Sequence, residues 1–216
     1  MPPRRLTAFE GPIANAVVSL GISHDWEFGA YLITPVGPLI EIRCLMRDDS
    51  ADPSQDVHSL ANAGAQIVVH HVHLSQESLS IPDWNGLVTL FSETFAHCAD
   101  GTRYWGRVVD RAWVEKIVHC DAQRVEMNAQ NHLFSILNGT TFNSIGANAA
   151  QFFRKEVVNR AMRLRGFVEY EYSWGSKAVP PHVRQGYPAP PSSAGILGTS
   201  LEVHIDQAAS LLAPTL

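Results

Sequence analysis

The run Gln66-Ile-Val-Val-His-His-Val-His73 constrains this chain more than any other segment. Three valines and an isoleucine within it favour a pleated strand, because branching at Cβ suits a sheet and crowds a helix. Side chains on a strand alternate between faces. His71 and His73 therefore leave the same side, where their imidazoles can meet at one ion. His70 points the other way, towards core packing or a contact that supports a ligand.

The rest of the chain sets this strand in a mixed α/β fold. Leu6, Phe9, Ile13, Val17 and Leu20 recur at helical steps and predict a first helix, started or broken near Pro12. Arg4-Arg5 ahead of Pro12 to Ile22 resembles a signal peptide, but Glu10 and Gly11 interrupt the apolar run and the helical period fits a folded element better. Phe28 to Ile33 and Pro38 to Met46 read as a strand pair joined near Pro35-Val36-Gly37-Pro38. Residues 47–53 read as a loop, and Ser75 to Pro82 as a second, polar one. Asp83 is expected to open a helix as its N-cap, with Leu87, Leu90, Phe91, Phe95 and Cys98 on one face, closed by Asp100-Gly101. Tyr104 to Val109 and Trp113 to Val118 return to strand. Helical pattern resumes from Asp121, through Leu133 to Leu137 and again from Ala149 to Leu164. Phe167, Tyr170, Tyr172 and Trp174 alternate as on a half-buried strand. The organisation expected is a mixed sheet with flanking helices over residues 1–120, a helical extension over 121–175, and a Pro/Gly/Ser-rich tail over 176–216.

Composition narrows the classes. Apolar residues at 45% and charged residues at 17% allow a buried core. A net charge of −5 argues against nucleic-acid binding held mainly by global electrostatics. No stretch reaches the roughly 18 apolar residues of a membrane span. Three cysteines, without CxxC spacing, exclude a disulfide framework and fit a reducing, cytoplasmic compartment. Ten histidines point to metal. The dipeptides His97-Cys98 and His119-Cys120 are weak candidates, because adjacent side chains diverge.

A strand end with two histidines and a helix start with Asp83 form a three-ligand set. Such a set leaves a fourth tetrahedral position for water, as catalytic zinc requires. A base must still carry the proton, and Glu27, where the first helix meets the first strand, is the candidate. Taken singly, each residue has a plain structural use: packing for the histidines, capping for Asp83, a surface charge for Glu27.

Jointly, Glu27, His71-Val72-His73 and Ser80-Ile81-Pro82-Asp83 resemble the JAMM (MPN) zinc metalloprotease signature. Glu27-Phe-Gly-Ala-Tyr-Leu-Ile-Thr34 resembles the E-T-G-G-I-L-x-G segment of its bacterial members, and the resemblance covers residues 6 to 118. Six residues rather than seven separate His73 from Ser80, Leu74 stands in place of proline, and Ala30 and Thr34 replace glycines. The resemblance implies a JAMM/cytidine-deaminase-like layout and a zinc peptidase or isopeptidase acting beside a ubiquitin-like or sulfur-carrier-like protein. His71, His73 and Asp83 would hold Zn2+, Glu27 would activate the zinc-bound water, and Ser80 would stabilise the oxyanion.

Two other readings come from different classes. The same fold can serve as a catalytically inactive protein-interaction module. Alternatively, Thr141 to Gly146 and the helix carrying Arg154, Lys155, Arg160, Arg163 and Arg165 resemble a helix-turn-helix that contacts nucleic acid. The plainer expectation for that helix is a buried face of Phe153, Val157, Ala161 and Leu164 with a solvated basic face.

Overall fold

The computed structural model describes residues 4–34, 37–48, 50–138, 144–177, 195–196 and 199–216. The chain divides into two compact units whose segments alternate along the sequence. The first comprises 1–76, 86–107 and 171–185, and the second 77–85, 108–170 and 186–216.

The elements of the sheet are β1 (Phe28–Ile33), β2 (Leu39–Cys44), β3 (Ile67–Val72), β4 (Glu93–His97), β5 (Arg103–Val108) and β6 (Val168–Ser173). They form one six-stranded mixed sheet in the order β2-β1-β3-β4-β5-β6. β1 pairs antiparallel with both β2 and β3, β3 runs parallel to β4, and β4 pairs antiparallel with β5. A parallel pair needs a crossover, and α3 (Ile81–Thr89) supplies it between β3 and β4.

Every residue of β3 is buried, so both its faces are covered. Helix α1 (Glu10–His24) lies over β1 and β3, packing Ile13 and Val17 on Ala30 and Leu32, and Val18 and Ile22 near Val72. Gly21 permits this approach: a Cβ there would come within 2.6 Å of Val72 Cγ1. The opposite face carries Tyr31, Ile67 and Val69 against Val57 and Leu60 of α2 (Gln55–Asn62), a helix absent from the sequence expectations.

The second unit is helical. α4 (Arg111–Lys116), a π-helical turn at Ile117–Asp121, α5 (Ala122–Asn138), α6 (Ser144–Leu164) and α7 (Leu201–Leu212) carry it. Val125, Ala129, Leu133 and Leu137 recur every fourth residue of α5, as do Phe153, Val157 and Ala161 of α6, and all are buried. α7 adds Ile205, Ala208, Ala209 and Leu212 to the buried set and packs on α5 and α6. The expected tail over 176–216 thus contains a core helix. Its Pro/Gly/Ser-rich part from 178 to 194 lies outside the described residues, as do residues 141–143 of the expected helix-turn-helix and the Pro35-Val36 part of the first hairpin turn.

Three local expectations change. Trp113 to Val118 is helical, because Asp110 caps α4 by accepting the Trp113 amide. The expected helix through Phe95 and Cys98 stops at Thr89. There Leu90 N and Phe91 N both donate to Gly86 O, at 2.7 and 2.8 Å, and the following residues pair with β3 as β4. The expected solvated basic face of α6 is largely paired. Arg160 is 1% exposed and donates to Glu156 and Asp206, both at 2.7 Å, while Arg154 and Lys155 meet Glu77.

Candidate metal centre

The site starts at the end of β3. His71 sits opposite Gly29 of β1, and the parallel ladder continues past β3 through His73 N donating to His97 O at 2.9 Å. His71 and His73 are 5% and 8% exposed. Their Nε2 atoms approach to 2.8 Å with the rings inclined at 63°.

After His73 the chain turns at once. Gln76 is fully buried at φ 60°, a left-handed conformation that costs a non-glycine residue about 1–2 kcal/mol. Its own hydrogen bonds offset that cost. Nε2 donates to the carbonyls of His73 and Leu74 at 3.1 and 3.2 Å, and the Gln76 backbone carbonyl accepts from Tyr104 Oη at 3.2 Å.

The helix that follows begins at Ile81, so Ser80 holds the capping position expected for Asp83. Ser80 N and Oγ both donate to Asp83 Oδ2, at 2.6 and 2.7 Å, and Asp83 N returns a long 3.4 Å contact to Ser80 Oγ. This is a capping box with aspartate in the usual glutamate position, and it fixes the rotation of the carboxylate.

His71, His73 and Asp83 come together. Each offers one ligand atom, and these atoms lie within 4.8 Å of one another. Among the described residues no other three His, Cys, Asp or Glu side chains converge this way. Donors at tetrahedral angles on zinc, bonded at about 2.0–2.1 Å, stand about 3.3 Å apart, within the span this group covers. The set of two imidazoles and a carboxylate fits a divalent cation. The shortened loop between His73 and Ser80 therefore still brings the carboxylate to the histidines.

Glu27 is half-buried, and its amide donates to Arg47 O at 2.6 Å. The β1–β3 ladder ends at the Gly29–His71 pair, with Glu27 two residues before Gly29 and His73 two residues after His71. The Glu27 charge acts on Tyr31 of the same sheet. Burial raises the pKa of the Tyr31 phenol, and the Glu27 carboxylate raises it further. Tyr31 Oη donates to Ala51 O, and a Cβ on Gly29 would meet that hydroxyl at 3.0 Å and Ala51 at 3.2 Å. Glycine opposite His71 thus lets the Tyr31 hydroxyl and Ala51 close over the strand.

His70 follows the expected division of faces. Its Nδ1 lies 3.0 Å from His97 Nε2, its ring stacks on Phe95, and Nε2 faces Glu10 Oε1 at 3.4 Å, too long for a good hydrogen bond. Arg4 clamps Glu10 through its two terminal guanidinium nitrogens, at 2.7 and 2.9 Å, and also donates from Nε to Glu93. Burial opposes the Glu10 charge, but His70, Arg4 and the Thr7 amide more than compensate and hold its pKa well below the usual carboxylate range. Burial lowers the pKa of both His70 and His97.

Sequence reasoning missed Gln76, Arg4 and Glu10. Thr7-x-x-Glu10 spelled a capping box that could have been read, whereas nothing local marks Gln76 as buried.

Scans against protein-family models, curated proteins and solved structures find no match to this chain. No described helix is long and apolar enough to cross a membrane.

Proposed function

We propose that the chain is a JAMM-like, zinc-dependent peptidase or isopeptidase acting on a protein substrate of the ubiquitin-like or sulfur-carrier class. The observation that carries this reading is the convergence of His71, His73 and Asp83 ligand atoms within 4.8 Å. When bound, a zinc ion in this donor set supplies Lewis acidity and a water of lowered pKa.

The chain's own residues do the remainder. Glu27, just ahead of β1, takes the proton of the attacking water and returns it to the leaving amine. Ser80 supports Asp83 through two hydrogen bonds. To stabilise the oxyanion its hydroxyl must turn away from that carboxylate, so the two roles alternate.

Metal analysis of freshly purified protein tests the reading, together with cleavage of a ubiquitin-like domain carrying a C-terminal amide-linked reporter. About one equivalent of zinc and chelator-sensitive release of the reporter are expected. Metal-free protein with no uptake on zinc titration would overturn the metal centre. Zinc binding without cleavage of any amide-linked reporter would favour the interaction module.

A further inference from the structure

Asn159 lies inside α6, where asparagine is a mediocre helix former and its amide serves no helical purpose. It is 1% exposed. Nδ2 donates to Ser78 Oγ at 2.8 Å and to the Leu79 carbonyl at 2.9 Å, while Oδ1 accepts from Trp84 Nε1 at 2.7 Å. An indole N–H only donates and a carbonyl only accepts, so these two partners determine which way the amide faces. Two contacts precede the Ser80–Asp83 box and the third follows it. One side chain thus grips both ends of the segment that carries Asp83.

The grip is itself held from behind. Arg160 Nε donates to Glu156 Oε1 at 2.7 Å, Tyr170 Oη donates to Glu156 Oε2, and the Ser78 and Tyr170 hydroxyls meet at 2.7 Å. With the Tyr170 hydroxyl directed at Glu156, Ser78 donates to Tyr170 and accepts from Asn159. Lys155 Nζ reaches Glu77 Oε2 at 2.7 Å. Consecutive positions Glu77, Ser78 and Leu79 are therefore fastened to α6. This is a specific network in which every donor named has an acceptor, and such networks lock geometry more than they add stability.

On the footing of the metal-site reading above, we propose that Asn159 is a positioning residue for Asp83, and that α6 belongs to the metal centre's support rather than to a separate partner-binding extension. Residues that orient a ligand without touching the metal typically change affinity by about 10–100-fold when replaced.

Asn159→Ala and Trp84→Phe, which keeps the aromatic volume and loses the N–H, test this in the full chain. Met162→Ala, an apolar buried position on the same helix, supplies a control that loses packing without removing a hydrogen bond to the loop. Cobalt titration of the metal-free protein should show affinity reduced about 10–100-fold in both loop variants, with altered visible d–d bands. Met162→Ala should retain the wild-type spectrum and affinity despite a lower Tm. Hydrogen exchange in the metal-free protein gives a second readout that needs no metal. The amides of 80–84 should exchange faster in Asn159→Ala than in Met162→Ala. Equal exchange in these two variants, or a wild-type cobalt spectrum in Asn159→Ala, overturns the proposal. If wild-type protein takes up no cobalt, the metal reading fails, and the exchange comparison still decides whether Asn159 positions the segment.

Discussion

Strand β3 carries a histidine on each face with the same local equipment, and the two faces end in different chemistry. On the α1 side, His70 meets His97 at 3.0 Å, and the carboxylate comes from Glu10, in a Thr7-x-x-Glu10 capping box. On the other side, His71 meets His73 at 2.8 Å, and the carboxylate comes from Asp83, in a Ser80-x-x-Asp83 capping box. Each assembly joins two imidazoles to a helix-start acid. What separates them is the balancing cation. Arg4, stacked 4.7 Å over Phe95, supplies it to Glu10 and closes that face as a structural network. Beside His71 and His73, we propose that a divalent ion takes this place. A histidine pair alone thus says little about metal, and the third partner decides.

The largest contrast should come from removing one imidazole on each side. His71→Ala is expected to abolish the binding of about one equivalent of zinc, measured by elemental analysis. His97→Phe should leave zinc content intact and cost about 2 kcal/mol in denaturant unfolding, since it deletes a buried hydrogen bond. Zinc lost equally from both would erase the distinction. Next in size, Glu27→Gln should keep the metal and lower turnover of a cleaved reporter by roughly 10²–10⁴-fold, the usual contribution of a general base.

A smaller effect separates the carboxylates. Glu10→Gln breaks a buried ion pair and should cost roughly 3 kcal/mol. Because folding lowers the pKa of Glu10, its contribution is fully present above the unfolded value of about 4.3 and is lost as pH falls through the folded one. Tm measured from pH 6 down to pH 2 should therefore drop more steeply in wild type than in Glu10→Gln. Parallel curves would show that the charge contributes nothing. Smallest of all, Ser80→Ala should cost about 1 kcal/mol as a lost cap and still bind zinc, more weakly. Unchanged zinc affinity in this variant would remove Ser80 from the support of Asp83.

Local chemistry made much of this legible. β3, the α1 helix, the first hairpin and the division of His70 from His71 and His73 followed from branching at Cβ and strand alternation. The convergence of His71, His73 and Asp83 was readable because two of them share a strand and the third lies in the first turn of the next helix. Long-range pairing was not legible. Phe95 and Cys98 continued a helical pattern, and the turn at Gly86–Phe91 broke it through backbone bonds that no spacing reveals. Arg160 looked like a solvent charge, since two of its three acidic partners, Asp206 and Glu202, lie more than forty positions away. Asn159 gave no signal at all, because polar residues inside helices ordinarily face water.

The alternation of the two units along the chain also shapes how the protein must be made. β5 ends at Val108 and its sheet neighbour β6 begins at Val168. At roughly 5–20 residues per second, the ribosome needs about 3–12 s to add the intervening stretch. Until β6 is made, β5 lacks its neighbour along that edge, and an unpaired strand edge is a template for a neighbouring chain. Arg103 and Arg107 place positive charge on that waiting edge. They make it a poor partner for another copy until the protein's own last strand emerges.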